Sequence, residues 1–274
     1  KWLKLWKRRN CIKKYIKNFI TSKIFFNIIN NATPVVVNSG IKFYGLFEIP
    51  HRRGLQLLSK EPDMIAFIED YVNDGDIYYD IGANIGVFSM YSAIKKNAKV
   101  FAFEAESSNV FILNKNISLN NLTDKVFAFN IAINDIDEVS FLNLTENILP
   151  GSSLNAFGDS INQDHKEFIP QFIQGVFGIS LDSFVYKYNQ PCPNHLKIDV
   201  DGNEHKIING MTKVLTDKNL KTIAIEVNVR AQRDIELLKI IENNNFVRID
   251  GYKNEEYEAN GMVNYFGSWQ LKHV

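Results

Sequence analysis

Asp80-Ile81-Gly82-Ala83-Asn84-Ile85-Gly86 places an acid, two glycines and an asparagine between a hydrophobic run, Ile77 to Ile81, and an amphipathic one. A buried strand that turns through glycines into a helix is a nucleotide-binding arrangement. Gly82 lets the backbone approach a ligand, and Gly86 permits close helix packing. Asp80 stands where the strand meets the turn, a place where a phosphate-binding loop has little use for an acid. The glycines also lack the G-x-G-x-x-G spacing that brings backbone to a pyrophosphate. An acid suits a cofactor with a cationic reactive end and an ammonium group, as in S-adenosylmethionine. A plain strand-to-helix turn and a dehydrogenase-like loop are the alternatives. Glu104 ends the next hydrophobic run about 20 residues on, where an acid accepts from both ribose hydroxyls. Ala83 and Asn84 share the loop, and Asn130, ending a third run, either contacts adenine or begins a turn.

A second constellation is Lys197-Ile198-Asp199 followed by Glu204-His205. An alcohol is a poor nucleophile at neutral pH, so transfer from a sulfonium to a hydroxyl gains from a positioned base and in-line alignment. Asp199 serves either as that base or as partner of the cofactor's ammonium. Glu204 is a second candidate base, or a favourable charge near a helix N-terminus. His205 is a third, or a bystander on a helix surface, and Lys197 pairs with one of the acids and orients it. Asp182 and Glu226 line the pocket or cap elements, with Asp182 better suited to a cap. No His/Asp cluster shows ligand spacing, so no metal is expected.

These residues need elements to hold them. Strand patterns at Ile77 to Ile81, Val100 to Glu104, Val126 to Asn130, His195 to Val200, Thr222 to Val227 and Phe246 to Ile249 alternate with helical ones. The helices fall at Ile85 to Lys96, Ser108 to Leu119, Glu204 to Leu215 and Ala231 to Glu242. Such alternation implies parallel βαβ units with a sheet covered on both faces. Met262 to Trp269 reads as an added edge strand. Residues 34–75 form a cap with a hairpin around Asn38-Ser39-Gly40 and a helix opened by Glu61-Pro62. Between Val139 and Lys187, Pro150-Gly151-Ser152-Ser153, Gly158 and Gly175 break up any regular pattern. This irregular insertion, 139–187, is assigned to the acceptor pocket.

The chain has 274 residues, 45% of them hydrophobic, enough for one large α/β domain over 34–274. A net charge of +0 argues against nucleic acid as a partner. Cys11 and Cys192 show neither disulfide nor zinc spacing, so a reducing cytoplasm is the default. No stretch reaches the roughly 18 to 20 apolar residues that span a bilayer. Residues 1–33 form a basic amphipathic helical extension, with Lys4, Lys7, Arg8, Arg9, Lys13 and Lys14 beside Trp2, Leu5, Trp6, Ile12 and Ile16. It attaches to an anionic membrane surface on the cytoplasmic side, or packs on the domain or a sister subunit. An oligomer is compatible with either. The chain opens on Lys1, which leaves open whether a longer protein precedes it.

In Asp80 to Gly86, Phe103 to Asn120, Ser180 to Phe184 and Lys197-Ile198-Asp199-Val200-Asp201-Gly202-Asn203-Glu204, the chain resembles the FkbM family of methyltransferases, over about residues 60 to 230. The resemblance implies a Rossmann-like class I methyltransferase fold, with a seven-stranded, mostly parallel sheet, an antiparallel last strand and helices on both faces. It also implies O-methylation of a saccharide, such as a cell-surface glycan or its precursor, or of a polyketide or other small natural product. A non-catalytic scaffold that kept the fold is the reading from another class. Ala105 stands where the family often has proline, and Asp201 where it usually has glutamate, which shortens the acid's reach.

Overall fold

The computed structural model describes residues 20–24, 35–36, 39–146, 148–161, 166–228, 232–251 and 264–272. Residues 20–24 are helical and exposed; the rest of the expected basic extension lies outside the described residues. Among the described residues no helix is long and apolar enough to cross a membrane.

The cap begins with β1 (Val35–Val36) and β2 (Lys42–Phe43), paired antiparallel as the hairpin reading requires. A helix that the sequence patterns did not reveal follows, α1 (Glu48–Leu55). Pro50 in its first turn and Gly54 in its last obscure the helical signal. Gly54 is there because a Cβ would lie 3.0 Å from the Phe43 ring, so the missing side chain lets α1 sit on β2. α2 (Pro62–Tyr71) buries Met64, Phe67 and Ile68.

The main sheet is built from β3 (Ile77–Ile81), β4 (Lys99–Phe103), β5 (Val126–Phe129), β10 (His195–Ile198), β11 (Thr222–Asn228), β12 (Phe246–Gly251) and β13 (Asn264–Leu271). Its spatial order is β12-β13-β11-β10-β3-β4-β5. Pairings from β5 through β11 are parallel, whereas β13 is antiparallel to both β11 and β12. This is the mostly parallel seven-stranded sheet with an antiparallel last strand that the sequence leads one to expect. One expectation is corrected: β13 is no edge strand but is inserted between β11 and β12, with Trp269 fully buried. An apolar run shows that a strand is buried; which neighbours it pairs with depends on register against residues far away in sequence.

Helices α3 (Val87–Lys95), α4 (Ser107–Leu119), α5 (Glu204–Asn209) and α6 (Gln232–Asn243) cover the sheet. Alternation along the strands divides the core between the faces. Tyr78, Val100, Ala102 and Val126 pack with α2, α3 and α4, and Tyr79, Phe101, Phe103 and Leu196 with α5 and α6. α5 stops at Asn209 rather than running to Leu215, and Gly210 follows it where the chain packs too closely for a side chain: a Cβ there would lie 2.2 Å from the Asn134 carbonyl oxygen.

The segment 139–187, expected to be irregular, contributes most of a second sheet. β6 (Ala132–Asn134), β7 (Glu138–Leu144), β8 (Ala156–Phe157) and β9 (Phe172–Ser180) align in the order β6-β9-β7-β8. β7 and β9 are paired over seven positions. Their period-2 signal is blurred because exposed positions also carry Val139, Phe141, Ile173 and Phe177. After β9, a single π-helical turn (Ser183–Lys187) sets Phe184 into the main core, its ring centroid 4.9 Å from that of Phe103.

At the amino ends of the central strands, opposite the glycine loop, the buried His195 ring joins Thr222 Oγ1 at 2.7 Å and Asp76 Oδ2 at 2.9 Å, tying the starts of β10, β11 and β3. α4 is anchored by Glu106, fully buried, whose carboxylate accepts from the backbone N–H of Ser108 and Asn109 and from Ser108 Oγ. Replacing Glu106→Ala strips these donors of their acceptor, and urea denaturation is expected to show a loss of about 2 kcal/mol. An unchanged midpoint and slope would show that the cap contributes nothing.

Candidate active site

β3 and β10 are neighbours from which the chain continues in opposite directions, β4 to one side and β11 to the other. The crevice beyond their carboxyl ends is where open α/β sheets bind ligands. Here the backbones nearly touch. Gly82 adopts φ +74, and a Cβ on it would lie 1.7 Å from the carbonyl oxygen of Asp199. Only glycine lets these two strand ends close on each other. The N–H groups of Gly82 and Ala83 both donate to the Phe103 carbonyl at 3.0 Å. Asn84, at φ +50, donates its N–H to Glu104 Oε2 at 2.7 Å. Gly86 opens α3 at φ +82, and a Cβ there would meet Leu113 of α4 at 2.3 Å.

Beneath the loop Lys197, fully buried, places its Nζ 3.1 Å from Asp80 Oδ1, 3.2 Å from Asp199 Oδ2 and 3.1 Å from the Gly82 carbonyl oxygen. Burial pulls the Lys197 pKa down, but Asp199 and Asp80 outweigh it and hold the ammonium charged. Asp80 is fully buried and accepts from Ser89 Oγ at 2.6 Å as well. Asp199 is the member of this trio whose side chain reaches the surface, 26% exposed. Lys197 pairs with both acids, more than the one partner expected.

Glu104 accepts from the N–H groups of Asn84 and Glu106, and burial raises its pKa to about 7. Asn130 donates its amide to the carbonyl oxygens of Glu104 and Ala105, so it joins the end of β5 to that of β4. Glu204 is buried, and its Oε1 accepts from Val200 N–H and Gly202 N–H at 3.2 Å each, holding the turn into α5. His205 has Arg233, Lys206, Asp234 and Asp159 as its charged neighbours; burial, then Arg233, lower its pKa to about 4. Asp182 accepts from Thr212 Oγ1 and from the N–H groups of Lys213 and Val214, a structural cap.

Other parts of the site are brought together by contacts that the linear order does not show. Asp201 and Glu226 join Asp199, with one carboxylate oxygen of each within 4.8 Å of the others. Spacing along the chain does not show this acidic group, because Glu226 arrives from β11. A strap around Gly151-Ser152 crosses the glycine loop: the Ser152 carbonyl accepts from Asn84 Nδ2 at 2.7 Å and from Asn109 Nδ2 at 3.3 Å. Asn109 Oδ1 accepts from Gly151 N–H, Arg53 Nε donates to the Gly151 carbonyl, and Asp201 Oδ2 accepts from Leu154 N–H. Asn109 and Arg53 were unremarkable polar residues until the strap gave them a partner.

Burial raises the Glu204 pKa to about 7, with Asp201 adding to the rise. A carboxyl whose folded pKa is raised stabilises the fold at low pH and loses that contribution as pH climbs through the folded value. Between pH 5 and pH 8 Glu204 should therefore cost the fold up to about 3 kcal/mol. Glu204→Gln is expected to flatten that part of the stability-versus-pH curve, read by denaturant melts at both pH values. Parallel wild-type and variant curves would refute it.

The model of the methyltransferase FkbM domain matches residues 80–248, more than half of the chain, and takes in the glycine loop, Glu104, Lys197, Asp199 and Glu226. The chain is similar to the hexuronic acid methyltransferase AglP of Haloferax volcanii, at 27% identity over 172 residues. That stretch makes up 63% of this chain and 65% of the relative, so the match spans somewhat under two thirds of the curated protein. Among solved structures, methyltransferase FkbM from Methylobacillus flagellatus KT matches with a TM-score of 0.47 and 13% identity, over 73% of this chain and 44% of that one. P. horikoshii TYW2 in complex with MeSAdo matches at 0.49 and 15%, over 87% and 70%. On the extent of the domain match and the residues it takes in, this chain belongs to the FkbM methyltransferase family.

Proposed function

We propose that the protein is an S-adenosylmethionine-dependent O-methyltransferase acting on a hydroxyl of a saccharide. The observation that carries this reading is the pairing of Asp80 and Asp199 through Lys197 directly behind the Gly82 turn, at the switch point of the sheet. The family membership and the hexuronic acid methyltransferase relative support the acceptor class.

The residues present fit the cofactor. Glu104 lies at the end of the strand after the glycine turn, one carboxylate oxygen already oriented by Asn84 N–H, where it would accept from ribose hydroxyls. The backbone of Gly82, Ala83 and Asn84 would line the ribose and methionine portions, with Gly86 fixing the following helix. Asn130, holding the carbonyl ends of Glu104 and Ala105, would border the adenine. S-adenosylmethionine supplies a methyl group on a sulfonium.

The remaining chemistry belongs to the chain. Asp80 is enclosed and spent on Lys197 and Ser89, so it orients rather than receives. Asp199 is accessible and would take the proton of the acceptor hydroxyl at Oδ1 or Oδ2, while Lys197 holds it in one orientation. Glu204 holds the turn that follows Asp199. His205, with its pKa lowered to about 4, is neutral at pH 7, and its charged neighbours come from α5, from α6 and from the turn after β8.

Calorimetric titration should show binding of S-adenosylmethionine and none of NAD, with binding abolished in Gly82→Val, where the new side chain meets the Asp199 backbone. Binding of neither cofactor would sink the reading. Asp199→Asn should lower kcat by roughly 100-fold or more while the cofactor Kd stays within about threefold, as for loss of a base. Parallel losses in both would instead assign Asp199 to the cofactor's ammonium.

A further inference from the structure

The strap over the glycine loop is held by a side chain from α4. Asn109, 1% exposed, spends both halves of its amide there: Oδ1 accepts from Gly151 N–H at 2.6 Å and Nδ2 donates to the Ser152 carbonyl at 3.3 Å. An asparagine amide can accept from one peptide N–H and donate to the next carbonyl, which neither a carboxylate nor an apolar side chain can do. Its own backbone is fixed, because Asn109 N–H donates to the buried Glu106 carboxylate at 2.7 Å.

The same amide acts on the acid assigned to the ribose. Burial, with the Glu106 charge adding to it, raises the Glu104 pKa to about 7, and Asn109 is among the donors that favour its charged form. Asn84 repeats the pattern, giving its N–H to Glu104 Oε2 and its Nδ2 to the Ser152 carbonyl, each at 2.7 Å. Acid and strap are therefore joined through the same two asparagines. The strap is seated tightly on its other side as well: Gly151 has φ +85, and a Cβ on it would lie 2.8 Å from Ile49 of α1. Arg53, also from α1, braces it through the Gly151 carbonyl at 2.8 Å.

We propose that Asn109 is a positioning residue for the cofactor: it clamps the strap onto the glycine loop as a cover for the ribose and holds the Glu104 carboxylate toward the ribose hydroxyls. This rests on the S-adenosylmethionine reading above and adds to it the residue and the segment that retain the cofactor. Ribose hydroxyls donate to the ionised carboxylate, so affinity should climb as pH rises through about 7.

S-adenosylmethionine is titrated calorimetrically between about pH 6 and pH 8 into wild type, Asn109→Ala, Asn109→Asp and Arg53→Met, and hydrogen exchange is followed over residues 149–155. Asn109→Asp keeps the shape of the side chain, so the test stands if the alanine variant fails to fold. Both Asn109 variants are expected to raise the cofactor Kd about tenfold. The pH at which affinity climbs should also move upward, because the carboxylate has lost a donor; comparison with wild type cancels the titration of the cofactor itself. Arg53→Met should raise Kd less and leave that pH in place. Cofactor should slow exchange of the strap in wild type and not in the Asn109 variants. A cofactor Kd unchanged in the Asn109 variants, an unmoved pH dependence, or strap exchange indifferent to the cofactor overturns the proposal. Asn109-dependent binding without methyl transfer to any sugar leaves it standing and sinks the saccharide reading instead, whereas no binding by wild type sinks both.

Discussion

The crevice depends on one buried cation. Lys197 Nζ lies among the carboxylates of Asp80 and Asp199 and the carbonyl of Gly82, so a single ammonium joins the ends of β3 and β10. Taking a lysine out of water costs several kcal/mol, and only flanking acids in good geometry offset it. Removing Lys197 would leave the fully buried Asp80 carboxylate with Ser89 as its partner and no cation beside it. The strand ends approach so closely that a single Cβ at Gly82 would collide with the opposing backbone. Ion pair and glycine are therefore two sides of one constraint: the cation holds together strands that only glycine lets meet.

Around this point the fold accumulates negative charge. Asp199, Asp201, Glu204 and Glu226 all lie near the carboxyl end of the sheet, and burial raises the pKa values of Asp201, Glu204 and Glu226, with neighbouring acids adding to the rise. Such crowding of carboxylates is unfavourable for folding alone and suits a cleft that receives a cation. It also explains why the cleft's positive groups matter. Lys197 is consumed between Asp80 and Asp199, and Arg53 Nε is spent on the Gly151 carbonyl of the strap.

The second sheet contributes by covering. β7 and β9 support the strap at Gly151-Ser152, which lies over Asn84 through its carbonyl oxygen and is braced by Asn109, Arg53 and Asp201. Phe184, carried on the turn after β9, enters the aromatic core under the main sheet, so the small sheet is tied to the large one by packing. An accessory sheet thereby shapes the cleft without supplying the groups at its centre.

The strands and helices of the main sheet, the glycine turn and Glu104 were readable in the linear order, because each rests on local periodicity or on turn chemistry within a few residues. Lys197 and Asp199 were readable as a pair for the same reason, alternate positions on one strand end. The partnership of Lys197 with Asp80, the approach of Glu226 and Asp201, the strap held by Asn109 and Arg53, and the place of β13 between β11 and β12 were not. Each is a contact between segments tens to well over a hundred residues apart, and no local pattern encodes which distant strand will be a neighbour. α1 was hidden for a different reason, since Pro50 and Gly54 lower helix propensity and packing on Phe43 overrides it. Local chemistry in the chain was thus enough to determine the class of fold, while register and long-range packing decided which acids share a cation and which stand open to solvent.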